Sequence, residues 1–120
     1  MRRDALYLSD VMGAADAIER FITGRSRESF IGDELLQSAV LQKLIVIGEA
    51  TARLSAELRA RHSDIEWTDI IAFRNIAVHA YFAVDWSIVW IAATHDAPLL
   101  KQQIVRILME EFADQDSSAD

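Results

Sequence analysis

Arg74, Asn75, His79 and Tyr81 lie within one short, otherwise aliphatic stretch, Arg74-Asn75-Ile76-Ala77-Val78-His79-Ala80-Tyr81. Together these side chains suit RNA cleavage without a metal. An imidazole, with an ordinary pKa near ~6.5, can take the proton of a ribose 2′-hydroxyl or return one to the leaving 5′-oxygen. A guanidinium can hold two phosphate oxygens and stabilise the added charge of the transition state. Asn75 and His79 are four residues apart and share a helix face, which places Asn75 to fix the orientation and tautomer of the imidazole. Tyr81 can contact phosphate or base, or offer its hydroxyl for modification where that group reaches solvent.

The helical angles restrict how these groups cooperate. Arg74 and Tyr81 share a face if the helix persists, but Arg74 and His79 differ by roughly 140° about the axis of a 3.6-residue helix. A straight helix does not aim both at one small atom. Either the chain loosens after Val78, or the site is completed across a dimer where two copies of the motif face each other. Residue type alone also allows plain structural roles: His79 as a satisfied buried histidine, Arg74 as a snorkelling surface residue, Asn75 as a polar-face residue, Tyr81 and Phe82 as core. An Arg-x4-His match by itself is weak.

The elements that must position the motif are helical. One Pro and four Gly in 120 residues are too few turn residues for an all-β domain, and 52% apolar with 26% charged residues is a globular balance. We expect an all-α bundle of about four to five helices in a single domain over residues 1–114, followed by a flexible acidic tail over 115–120. Periodicity predicts a first helix from about Arg3 to Thr23 with Gly24 as its C-terminal cap. Ser26 to Gly32 reads as a connector with one short helical turn holding Phe30 against the core. Asp33 caps a second helix running to about Arg61. That helix is apolar on more than one face, so it must be buried on two sides, and a second subunit is the expected cover for the second. Gly48 permits close backbone approach, while Glu49 is spaced to pair with Arg53 or to serve the active site. Ala60 to Glu66 reads as a loop. Trp67 precedes Thr68 as in a hydrophobic staple, opening a third helix that delivers the motif near its end. Asp85 caps a fourth helix and Pro98 starts a fifth.

Absences narrow the function classes. There is no cysteine, hence no disulfide framework and no thiolate metal site. The N-terminus lacks the unbroken apolar run of a signal peptide, and no segment reaches the roughly 18 uncharged apolar residues of a membrane span. A cytoplasmic protein without a membrane partner is expected. A net charge of −7 argues against a general nucleic-acid coat but not against a nuclease with a small basic site. Arg2, Arg3, Arg25, Arg27, Arg53, Arg59 and Arg61 would have to cluster to line an RNA groove.

Ile47-Gly48-Glu49-Ala50, Trp67, Arg74-Asn75, His79-x-Tyr81, Val84-Asp85 and Ile88-Val89-Trp90 resemble the HepT family of HEPN-domain toxins. The similarity runs from about Arg3 to Leu108, and in that context the Arg-x4-His-x-Tyr signature is specific. The resemblance implies a HEPN-type homodimer acting as the RNase toxin of a type VII toxin–antitoxin pair. It implies catalysis by Arg74 and His79 in a composite site across the dimer, with Asn75 alongside. No cofactor and no metal are expected, and the resemblance implies a cognate MntA-like nucleotidyltransferase antitoxin that silences the toxin by transferring AMP to Tyr81. Two alternatives belong to other classes: a non-catalytic binding partner of a nucleotidyltransferase, and a metal-binding bundle using His62, His79 and His95. The last lacks the paired His-x-x-x-His or Glu-x-x-His spacing of such bundles, and His62 and His95 read better as surface residues.

Overall fold

The structure is a computed structural model that describes residues 2–113, with no strand among them. The expected tail over 115–120 lies outside the described residues. Helix α1 (Arg2–Ile22) ends at Gly24, whose φ of +76° is the left-handed conformation that a glycine adopts without strain. Ser26 then forms a reciprocal capping box with Ser29 and opens the single turn α2 (Arg27–Ile31), which buries Phe30 completely. Gln37 is buried and donates to the carbonyls of Phe30 and Ile31 at 3.1 and 2.8 Å, locking this turn onto the next helix.

Helix α3 (Glu34–Arg53) begins, as expected, with the Asp33 carboxylate accepting from Leu36 N–H at 3.0 Å. It stops eight residues short of the expected end. Leu54 is extended (φ −62°, ψ 146°), and Ser55 opens a separate short helix, α4 (Ala56–Arg61). The break is held from a distance. The buried Asp4 carboxylate on α1 accepts from both Ser55 N–H (2.9 Å) and Ser55 O–H (2.6 Å), while Ser55 Oγ accepts from Leu58 N–H. The turn sends both Leu54 and Leu58 into the core.

Both α1 and α5 (Trp67–His79) pack on α3, and α7 (Ala97–Glu111) packs on α1. A second apolar side of α3 is therefore covered by α5 of the same chain, while Leu44, Ile45 and Val46 stay only partly buried. By length and mean hydropathy α3 would qualify as a membrane span, because its few charges are tolerated by that measure. It instead serves as the central helix of the bundle.

Trp67 is not the staple residue outside the helix. It is the first residue of α5, Glu66 holds the cap position without a side-chain bond, and Thr68 lies inside the helix. The buried indole N–H of Trp67 points to the carbonyls of His62 (3.0 Å) and Arg59 (3.2 Å) at the end of α4. The expected fourth and fifth helices are one continuous rod: α6 (Trp86–Ile91) passes through a wider π-helical turn, Ala92–Asp96, into α7. Asp85 caps the start as expected, with Oδ1 accepting from Ser87 N–H. Pro98 lacks the N–H that an α-helix interior requires, and the preceding π turn shifts the register of bonding so that the rod continues past it.

His62 is not a surface residue. It is buried, and its Nε2 bonds Glu111 Oε2 at the end of α7, where Arg61 also donates to Glu111 at 2.6 Å. The Arg61 hydrogen bond, aided by that of His62, holds the Glu111 carboxyl below the usual carboxylate range although burial pushes the other way. A depressed folded-state pKa contributes stability that is full above the unfolded value, near ~4.3, and is lost as pH falls through the folded value. Urea unfolding followed down to about pH 2 should therefore show a loss of stability in the parent that Glu111→Gln lacks. Identical pH slopes for the two would contradict this role.

Candidate active site

The site grows from the crossing of α3 and α5. A Cβ on Gly48 would lie 2.2 Å from Arg74 Cβ and 2.8 Å from its Cγ, so only a glycine lets the stem of Arg74 rest on the α3 backbone. Seated there, the Arg74 guanidinium is held from two sides. Its Nη1 donates to Asn75 Oδ1 at 2.8 Å, and its Nη2 faces Glu49 Oε1 at 3.5 Å. The Nε–H is buried without a partner. Glu49 thus pairs with Arg74, and among the described residues no ion pair joins it to Arg53.

Asn75 was expected to orient His79; its carbonyl oxygen instead serves Arg74. Among the described residues neither nitrogen of His79 has a hydrogen-bond partner, and the ring is exposed on the last turn of α5. Ala72, Asn75, Ile76 and His79 form the exposed stripe of this helix, while Ala77 is buried behind it. Arg74 and His79 make no bond to each other, as the angular argument anticipates.

The helix ends at His79. Ala80 (φ −139°, ψ 52°) breaks it, and Tyr81–Ala83 form a single tight turn closed by Val84 N–H on the Tyr81 carbonyl. Arg74 and Tyr81 therefore do not share a helix face. The tyrosine ring lies edge-on to Trp86 at 6.2 Å, and Trp86 in turn packs edge-on against Phe30. Tyr81 is 52% exposed, and its hydroxyl has no partner among the described residues.

Sequence reasoning missed what surrounds the motif. Ile76, Val78, Phe82, Ile88 and Ile91 are all exposed, with Phe82 at 92%. Phe82 had the sequence character of a core residue; its exposure follows from the helix break at Ala80, which no local pattern announces. Three of the arginines that an RNA groove would draw on are already engaged. Arg61 is engaged by Glu111, Arg25 by Asp33, and Arg27 donates to Ser87 on α6. The three histidines are held apart, His62 on Glu111, His95 on Asp96 and His79 on α5. Among the described residues no group of three His, Asp or Glu is placed to hold a metal ion. Among the described residues, shallow hollows lie along α1 and α7, lined by residues such as Met12, Val105 and Leu108. Asn75, His79 and Tyr81 of the motif are exposed, with Arg74 partly so.

Residues 12–107 match the family model described as ribonuclease HepT-like. A Thermococcus cleftensis protein named "Probable ribonuclease HepT" is 33% identical over 101 residues, covering 84% of this chain and 92% of that protein. A Caldanaerobacter subterraneus subsp. tengcongensis protein named "Putative RNase" is 32% identical over 111 residues, covering 92% of this chain and 99% of that protein. A Methanocaldococcus jannaschii protein named "Gamma-glutamylcyclotransferase and putative RNase" is also 32% identical over 111 residues, and there the chain spans only 50% of the relative's length. No solved structure matches. The breadth of the family match, across the helices that build and carry the motif, gives the assignment: this chain belongs to the ribonuclease HepT-like family.

Proposed function

We propose that this protein is the toxin component of a toxin–antitoxin pair, an endoribonuclease whose Arg74 and His79 act together across a homodimer. His79 serves as the proton-transfer group, taking the 2′-hydroxyl proton or returning one to the leaving 5′-oxygen, and Arg74 holds the scissile phosphate. The observation that carries this reading is the exposed His79 ring, free of hydrogen-bond partners among the described residues, on the same helix as a guanidinium already held by Asn75 and Glu49. The names of the relatives, RNase and ribonuclease HepT, support RNA as the substrate.

The exposed apolar side chains around the motif support the dimer. Five large ones on α5, the following turn and α6 are exposed near the motif, and exposed apolar surface is what a partner subunit would bury. A second copy laid on this side would bury them and bring the two motifs together, which also resolves the roughly 140° separation of Arg74 and His79 on one helix. Phe82→Asp is expected to give a folded monomer by analytical ultracentrifugation with little RNase activity. A dimer that persists in this variant would place the interface elsewhere.

Tyr81 suits the proposed silencing. Its phenol oxygen would attack the α-phosphorus of ATP on the cognate nucleotidyltransferase antitoxin, releasing pyrophosphate and leaving a Tyr–AMP phosphodiester. The bulky anion beside His79 would exclude and repel RNA phosphate. Expression without the antitoxin should arrest growth, and incubation with antitoxin and ATP should add the mass of one AMP group. Normal growth of cells expressing the parent protein would overturn the toxin reading. Undiminished labelling of Tyr81→Phe would overturn the modification site.

A further inference from the structure

Among the described residues Glu49 is the one acidic side chain bonded to the motif, and it comes from a different helix. We infer that Glu49 is a positioning residue that presets the Arg74 guanidinium for phosphate. This inference rests on the reading of Arg74 as the phosphate ligand.

Stability does not explain the pair. The Glu49 side chain is 45% exposed and that of Arg74 29%, at 3.5 Å, and ion pairs of this kind contribute roughly 0–1 kcal/mol. The consequence for geometry is larger. Arginine has several freely rotating bonds, and ordering them at the moment of binding carries an entropic cost. Here Gly48 fixes the stem, Asn75 holds Nη1, and Glu49 holds Nη2. Each Nη has two N–H groups, so one on each remains for substrate. The Nε–H is already buried, so a phosphate must be met by the two Nη atoms. Glu49 therefore does for one side of the guanidinium what Asn75 does for the other, without touching substrate itself.

A carboxylate beside a phosphate site also repels RNA. Glu49 should raise kcat by orienting Arg74 and at the same time raise KM by electrostatic repulsion. This opposing pair of effects separates positioning from a structural role, which would change the active fraction alone.

The test uses the full chain, a defined single-stranded RNA, and single-turnover kinetics at low salt. Glu49→Ala should lower the maximal rate about tenfold and lower the RNA concentration for half-saturation several-fold, with Glu49→Gln in between. Thermal unfolding should be unchanged, since alanine is a good helix former at a half-exposed position. In an Arg74→Ala background, Glu49→Ala should have no further effect on the maximal rate. Parent kinetics for Glu49→Ala, or an equal rate loss with and without Arg74, would overturn the inference. If Arg74→Ala itself cleaves at the parent rate, the phosphate-ligand reading fails and the inference with it. A silent Glu49→Ala beside an inactive Arg74→Ala overturns the positioning role alone.

Discussion

His79→Ala is expected to lower the rate of RNA cleavage by about 10²- to 10⁴-fold, the range that a positioned general acid or base contributes. The imidazole is exposed, lies on the last turn of α5, and has no protein partner on either nitrogen among the described residues. Its removal leaves no buried group unsatisfied and opens no cavity, so the thermal unfolding midpoint should stay close to that of the parent. Loss of activity in a protein of unchanged stability is the signature of a chemical role. Arg74→Ala should give a loss of similar size but at some cost in stability, because its stem fills the α3–α5 crossing and its head engages Asn75 and Glu49.

Gly48→Ala should have the second large effect, acting through the scaffold. The new methyl would sit 2.2 Å from Arg74 Cβ, a contact that only movement of one helix can relieve, since both atoms are fixed by backbone. Overpacking of this kind costs about 1–3 kcal/mol, of which the better helix propensity of alanine offsets at most ~1 kcal/mol. The larger consequence is displacement of α5. A misplacement of about 1 Å can cost ~10²-fold in rate, and here Arg74 and His79 would both move. Combined circular dichroism and cleavage assays on Gly48→Ala should show a helical protein, less stable and nearly inactive. Full activity with raised stability would show that the close crossing is not needed to position the motif.

Much of the fold was legible because its punctuation is local. Gly24, Asp33 and Asp85 end or begin helices through bonds to residues a few positions away, and each does so as the pattern predicts. What escaped depends on distant partners. The break at Ser55 needs the Asp4 carboxylate, which arrives from the other end of the chain. The burial of His62 needs Glu111 on α7. The two-sided apolar pattern of α3 correctly required two covers, but periodicity does not reveal that α5 of the same chain supplies the second. Pro98 does sit in the first turn of α7 as the pattern predicts, but the π turn that joins α6 to α7 leaves no mark in the pattern of apolar residues.

The candidate site was legible as residue types, and less so as geometry. Arg74, Asn75, His79 and Tyr81 were all visible in one stretch, and spacing alone separated Arg74 from His79. Spacing leaves two readings open for Glu49 on α3, and it pairs with Arg74; that Asn75 would turn to Arg74 and that Phe82 would stand in solvent follow from the helix crossing and from the break at Ala80.

The proposal that one active site draws Arg74 and His79 from two copies of the chain is tested most directly by mixing inactive variants. Arg74→Ala and His79→Ala, each purified and assayed alone, should cleave RNA at least about 10²-fold more slowly than the parent. Mixed under conditions that allow subunit exchange, they form heterodimers in which one of the two shared sites keeps both an intact arginine and an intact histidine. Random pairing then predicts recovery of about a quarter of the parent activity. A mixture whose exchange is verified, yet which remains as inactive as either variant alone, would contradict a site shared between subunits.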